Sequence, residues 1–339
     1  MNHRYIFTSL TRISDLSEKE FTLKTLPRNQ WETGDYIVCE IVNAGSETLK
    51  LELPNGRMRG VIGGEYIVGA LGERFATLEA TGTWRNVGEN LMMAVLTGAG
   101  LLGKLTSKSV FLPPMMKILY SGHAFRSDTK VTMDSFVEPT PHIPFDTPVV
   151  LFAGTSMSAG KTTSARIVTN LFKQAGHKVV GAKLTGAGRL KDILAIKDVG
   201  ADAVMDFVDV GLPSSICPKD TFEIKLQQLL SKIAHEKADI AIIEIGASPL
   251  EPYNGDLAIN AIREQVKCTI LSASDPYAVY GLMKAFDIVP DIVTGITSNT
   301  LAGIRMVEQL CGVKALNLID ATTTKRLKQI LSASTGFAL

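Results

Sequence analysis

Residues 148–163 constrain this chain most: Pro-Val-Val-Leu-Phe-Ala-Gly-Thr-Ser-Met-Ser-Ala-Gly-Lys-Thr-Thr. An apolar run, Val149 to Ala153, enters a short loop bounded by glycines, and the loop ends in Gly160-Lys161-Thr162-Thr163. Helical spacing comes next, at Ala165, Ile167, Val168, Leu171 and Phe172. Strand, loop and helix in that order make a phosphate-binding loop. Its backbone N–H groups curl toward an anion, and the helix adds its positive end. The expected nucleotide contacts are Gly154, Thr155, Ser156, Ser158, Ala159, Gly160, Lys161, Thr162 and Thr163. Lys161 would reach the terminal phosphates, and the Thr162 hydroxyl would hold Mg²⁺. The spacing is unusual, because the strict pattern has glycine at the position of Thr155 and here it falls one place earlier, at Gly154.

The chain beyond the loop decides the fold class. Strand patterns at 149–153, 178–182, 239–245, 267–272 and 291–296 alternate with amphipathic segments at 162–175, 190–200, 222–236, 256–265 and 301–311. That alternation predicts an α/β fold, a parallel sheet with helices on both faces, with ligands beyond the strand C-termini. The first part of the chain reads differently. Tyr36 to Val42 and Thr48 to Leu53 are strand-like, the second ending at Pro54-Asn55-Gly56, and glycines punctuate the later runs. Short strands with frequent turns predict a mainly β domain, barrel or sandwich. Residues 138–148 hold four prolines, a stiff connector. The expected organisation is a β domain over 1–140, a linker over 141–148 and a nucleotide-binding domain over 149–339.

Gly98-Ala99-Gly100-Leu101-Leu102-Gly103 fits a dinucleotide fingerprint, but β-like neighbours and Pro113-Pro114 leave no room for the long helix it needs. With 339 residues, 45% hydrophobic and 20% charged, the chain is long enough for two globular domains. A net charge of +1 gives no global field for nucleic acid or an anionic membrane, and neither is expected as a partner. Cys39, Cys217, Cys268 and Cys311 are scattered without metal or disulfide spacing. With no leader-like or spanning apolar run, the expectation is a cytoplasmic protein.

Three further segments carry candidate chemistry. Lys183 ends the strand at 178–182 and opens a small-residue loop, Leu184-Thr185-Gly186-Ala187-Gly188-Arg189. A lysine there can bridge nucleotide phosphates and a substrate anion, with Thr185, Gly186 and Arg189 as further anion contacts. Asp239-Ile240-Ala241-Ile242-Ile243-Glu244 is a buried strand ending in a carboxylate suited to Mg²⁺, with Asp192 a further metal candidate. The loop after Glu244 is polar and stiffened by proline. It is expected to face substrate through Ser248, Glu251, Tyr253 and Asn254. Asp198, Asp202, Asp206 and Asp209 read as surface or turn acids, and the five histidines lack ligand spacing.

Taken together, Gly154-Thr155, Gly160-Lys161-Thr162, Lys183 in its glycine-rich loop and a strand ending in Glu244-Ile245-Gly246 resemble dethiobiotin synthetase. The related cobyrinic acid a,c-diamide synthetases share the Gly-Thr-containing loop. Gly295-Ile296-Thr297-Ser298-Asn299 resembles the segment that reads adenine in that family. The likeness covers roughly 149–320. It implies Mg-ATP held by Lys161, Thr162, Lys183 and Glu244, with Asn299 on the base. Two departures stand out: Ser156 occupies the position of a family carboxylate, and the β domain has no counterpart in dethiobiotin synthetase. A more distant resemblance is to the family that includes D-glutamate N-acetyltransferases. The lysine that marks the partitioning ATPases near the start of the loop is absent, since Thr155 and Ser156 fill that region.

The expected function is ATP-dependent activation of a small carboxylate by phosphoryl transfer, for ligation to an amine or other nucleophile. Lys161, Lys183 and Glu244 are the expected catalytic residues, ATP and Mg²⁺ the cofactors, a small molecule the substrate and a homodimer the assembly. The alternatives are a small-molecule kinase, an acyltransferase, or a regulatory NTPase whose first domain binds a macromolecule.

Overall fold

The computed structural model describes residues 5–286 and 288–339. Two compact units form. One contains the chain up to Pro139 with Ala187–Lys191 and Phe207–Pro218; the other contains Thr140–Gly186, Asp192–Asp206 and Lys219–Leu339. Residues 139–148 carry neither helix nor strand.

The first unit is a closed barrel. Strand Tyr66–Leu71 pairs antiparallel with Tyr36–Asn43, which pairs with Lys117–Arg126, then Met92–Thr97, then Leu101–Lys108. The ring closes where Leu101–Lys108 pairs parallel with Tyr66–Leu71, Leu101 opposite Ala70 and Leu102 opposite Leu71. Closure removes the sheet edges along that stretch. Ile37, Cys39 and Ile41 alternate along one strand and meet Met93, Val95, Ile118 and Tyr120 in the core. Beside it runs a buried polar chain. The Tyr120 hydroxyl lies 2.5 Å from His123 Nδ1, and His123 Nε2 lies 3.2 Å from the Asp35 carboxylate. Lys130 Nζ approaches the same carboxylate at 3.0 Å. Burial pushes the Tyr120 phenol up to about 12.

One expectation is corrected here, and the discounted glycine motif finds its place. Only Leu51–Glu52 of the stretch 48–53 is strand, paired with Met58–Arg59 across the Pro54-Asn55-Gly56 turn. Gly98–Gly103 is the tip and start of a hairpin between Met92–Thr97 and Leu101–Lys108. A Cβ on Gly98 would lie 2.7 Å from the Lys50 carbonyl oxygen, so its glycine serves backbone packing rather than a pyrophosphate.

The second unit holds a six-stranded, all-parallel sheet. Its order is Ala203–Asp206, Val179–Thr185, Ile240–Ile245, Val149–Gly154, Val266–Ser272, Ile292–Thr294. Alternate residues of each strand feed opposite faces. Phe152, Ile270 and Ile292 pack against helices Lys161–Gln174 and Thr324–Thr335, through Val168, Phe172, Leu327 and Leu331. Ala153, Leu271 and Val293 pack against helices Pro276–Phe286 and Leu301–Cys311, through Val279, Leu282 and Val307. Covered on both faces, the central strands read as continuous apolar runs rather than alternating ones. The phosphate loop leaves the strand at which connections turn to either side, the place where such sheets bind ligands.

Three elements go beyond the sequence reading. Ala203–Asp206 is an edge strand, and Pro276–Phe286 and Thr324–Thr335 are helices. The first of these helices carried a legible start signal: the Asp275 carboxylate accepts from the Ala278 N–H at 2.9 Å, and Pro276 fills the first helical position. Among the described residues, no helix is long and apolar enough to cross a membrane.

Candidate nucleotide-binding site

Strand Val149–Gly154 delivers the loop, and Gly160 (φ +106°) turns it into helix Lys161–Gln174. Lys161 opens that helix but folds back, and Nζ donates to the Ser156 carbonyl at 2.7 Å. Its stem lies along Gly154. A Cβ there would sit 2.8 Å from Lys161 Cδ and 2.9 Å from Cγ and Nζ. This explains the displaced glycine: the residue that must lack a side chain is the one under the lysine. Lys161 is 3% exposed. Burial lowers its pKa, with the Glu244 charge acting in the opposite direction.

The strands on one side bring charges to the same level. Lys183 lies opposite Glu244 on one neighbouring strand and opposite Asp206 on the other. Lys183 Nζ pairs with the Asp192 carboxylate at 2.5 Å, and the Thr162 hydroxyl donates to Glu244 Oε2 at 3.0 Å. Burial alone would lower the Lys183 pKa, but Asp192 and Glu244 outweigh it and the net shift is upward. Burial raises the Glu244 carboxyl, against the pull of Lys183. The Lys183 stem runs over Gly246, where a Cβ would come within 2.7 Å of Cε. The Thr185 hydroxyl donates to the Gly246 carbonyl at 2.6 Å, fixing the two loops together. Asp206, read from sequence as a surface or turn acid, is fully buried beside Lys183. It was missed because its four-residue strand is too short to declare a period.

Thr162 and Glu244 offer two hard oxygens 3.0 Å apart, a donor set that fits Mg²⁺, which takes one or two protein ligands and completes its shell with phosphates and water. Asp192 is engaged by Lys183. Thr155 braces the loop against the next strand. Its hydroxyl accepts from the Ser274 N–H at 3.2 Å, and its N–H donates to the Ser272 carbonyl. Ser156 and Ala159 are buried in the loop, while Ser158 and Thr163 are exposed.

The loop after Glu244 differs from expectation. It folds inward instead of overhanging the sheet. Tyr253 is 0% exposed, and Ser248 and Asn254 are buried. Asn254 (φ +59°) is the residue that starts helix Gly255–Ile262. The Glu251 carboxylate accepts from the Ser248 N–H at 2.8 Å, closing the turn. Gly186 packs over Lys183. Arg189 belongs to the barrel unit rather than to the unit that carries Lys183.

Asn299 lines a cavity of about 100 Å³ with Ala159, Gly160, Thr163, Gly295 and Asn317. Asn317 was not singled out from sequence. It comes two residues after Ala315, which bridges Val293, and this pairing folds residue 317 against the loop after the last strand. The Asn317 Oδ1 accepts from the Ile319 N–H at 3.1 Å, which orients its amide N–H₂ as the free donor. If this cavity takes the base, Asn299→Ala should narrow the ATP-over-GTP preference by about tenfold, the worth of one lost base-edge contact of ~1.4 kcal/mol. Competition binding with the two nucleotides checks it; an unchanged preference would remove Asn299 from base reading.

Loop, lysine, threonine and strand-end carboxylate sit together at the strand ends of a parallel α/β sheet, the architecture of a phosphate-loop domain. No protein-family model matches the chain, and no curated protein matches it. Solved structures similar to it include HypB from Helicobacter pylori in complex with nickel, at 17% identity and TM-score 0.37, covering 56% of this chain and 88% of that one. Chloroplast FtsY from Physcomitrella patens is similar at 16% identity and TM-score 0.37, covering 55% of this chain and 60% of that one. A ParA family ATPase from Chlorobium tepidum TLS is similar at 15% identity and TM-score 0.30, covering 56% and 90%.

Proposed function

We propose that this chain is a Mg-ATP-dependent enzyme that activates a small carboxylate by phosphoryl transfer for attack by an amine or other nucleophile, as dethiobiotin-synthetase-like ligases do. The observation that carries the reading is Lys183, a second buried lysine, 6% exposed, held by Asp192 at 2.5 Å and level with Glu244. Nucleotide binding by a phosphate loop requires one lysine. A second desolvated ammonium is costly to bury and is kept here by surrounding carboxylates. Set at the strand ends, it is a preorganised cation for charge that develops on a transferring phosphoryl group and its acceptor. Lys161 and the loop N–H groups would hold the phosphates. Thr162 and Glu244 would hold Mg²⁺, which supplies charge neutralisation when bound.

The test is ATP turnover with and without pooled small metabolites, with products read by mass spectrometry. Turnover should be near background alone and rise with the pool, yielding an ATP-dependent product that contains a carboxylate-derived bond. Phosphorylated metabolite without ligation would identify a kinase. Turnover unmoved by the pool but raised by a protein or nucleic acid would replace the ligase reading with a regulatory NTPase.

A further inference from the structure

We propose that the barrel unit binds a short-chain carboxylate in a cavity of its own. The cavity measures about 100 Å³, and all its lining residues belong to that unit. Leu49, Val95, Leu112 and Met115 give it apolar walls. Four charged side chains complete the lining: Lys50, Arg74, Glu79 and Arg189. Arg74, 8% exposed, forms an ion pair with Glu79 and donates to the Leu96 carbonyl at 2.7 Å, so these two charges cancel. Lys50 and Arg189 have no ion-pair or side-chain hydrogen-bond partner among the described residues. Two uncompensated cations over apolar walls match a carboxylate with a short hydrocarbon body. Arginine grips a carboxylate through two parallel hydrogen bonds, and the lysine adds charge from an exposed position.

The cavity is well below a drug-sized pocket. Its apolar walls suit a short hydrocarbon chain. Inorganic phosphate would satisfy the cations but leave the apolar walls without a partner. This inference goes beyond the reaction proposed above, since the binding needs no nucleotide. It stands or falls apart from ATP turnover.

The test uses the full chain without nucleotide and butyrate as the probe, by calorimetry or ligand-observed NMR. Butyrate should bind saturably, butylamine should not bind, and inorganic phosphate should compete at least about tenfold more weakly. Arg189→Gln should weaken butyrate about tenfold or more, the loss of one charge-assisted pair. Lys50→Gln, at an exposed position that folding does not depend on, should weaken it severalfold. Absence of butyrate binding to the wild-type chain would overturn the proposal. So would an unchanged affinity in Lys50→Gln, whatever the fate of the arginine variant, or phosphate displacing butyrate as well as butyrate itself does.

Discussion

Lys161→Ala should reduce nucleotide turnover by at least about a hundredfold, the usual scale for removing one preorganised contact to developing charge, while the chain stays folded. The second half of that expectation comes from the site's electrostatics. Lys161 is buried at 3% exposure, and its pKa is lowered by that burial. A lowered lysine pKa means that the folded state holds the charged form at a cost, so deleting the ammonium does not remove a net stabilising charge. The loss is its hydrogen bond to the Ser156 carbonyl, worth about 1 kcal/mol. Glu244 keeps Lys183 as its counter-charge. The check is steady-state turnover beside a thermal melt of the same preparation. A folded variant that turns nucleotide over at the wild-type rate would take away the phosphate-loop assignment of function. A variant that unfolds would show the lysine to be part of the fold's charge balance.

The parts of this molecule legible in the sequence are those whose physics is local. The strand into the loop, the Gly160-Lys161-Thr162 turn and the strand to Glu244 each fall within about fifteen residues, and hydrophobic period and glycine placement report them directly. Five of the six strands of the parallel sheet were also readable, because strands buried on both faces read as apolar runs. The rest depends on the side chains that tertiary packing places side by side. Asp206 looks like any turn acid until a four-residue edge strand sets it opposite Lys183. Tyr253 looks like an exposed aromatic in a polar loop. Its burial comes from a turn that Glu251 closes on the Ser248 N–H, a contact no periodicity encodes. Arg189 is six positions from Lys183 in the chain, yet it lines a cavity whose other walls come from residues 49–116. The barrel closes through a parallel pairing of Leu101–Lys108 with Tyr66–Leu71, a long-range contact, so sequence could leave only a choice between barrel and sandwich.

Lys183 offers the sharper experiment, because its stability and its chemistry can be pulled apart. Unlike Lys161, its net pKa shift is upward: burial opposes the charge, but Asp192 and Glu244 together prevail. A raised lysine pKa contributes stability that is fully present below the unfolded value of about 10.4 and is lost as pH climbs through the folded value. Lys183→Met should therefore destabilise the chain at neutral pH, and the deficit should shrink in strongly alkaline solution. Removing one member of a buried pair costs about 3–5 kcal/mol, since the carboxylate loses its counter-charge. Adding Asp192→Asn removes that carboxylate charge and should restore much of the melting temperature. It cannot restore a cation at the strand ends. If Lys183 neutralises the transferring phosphoryl group, the double variant should bind ATP with little change, through Lys161 and the loop backbone. Its chemical step should remain about a hundredfold or more slower in single-turnover measurements. A stable double variant with a wild-type chemical step would make Lys183 a purely structural ion-pair partner, and the ligase proposal would lose the observation that carries it. A stable double variant that no longer binds ATP would make Lys183 a nucleotide anchor, which a regulatory NTPase could equally use.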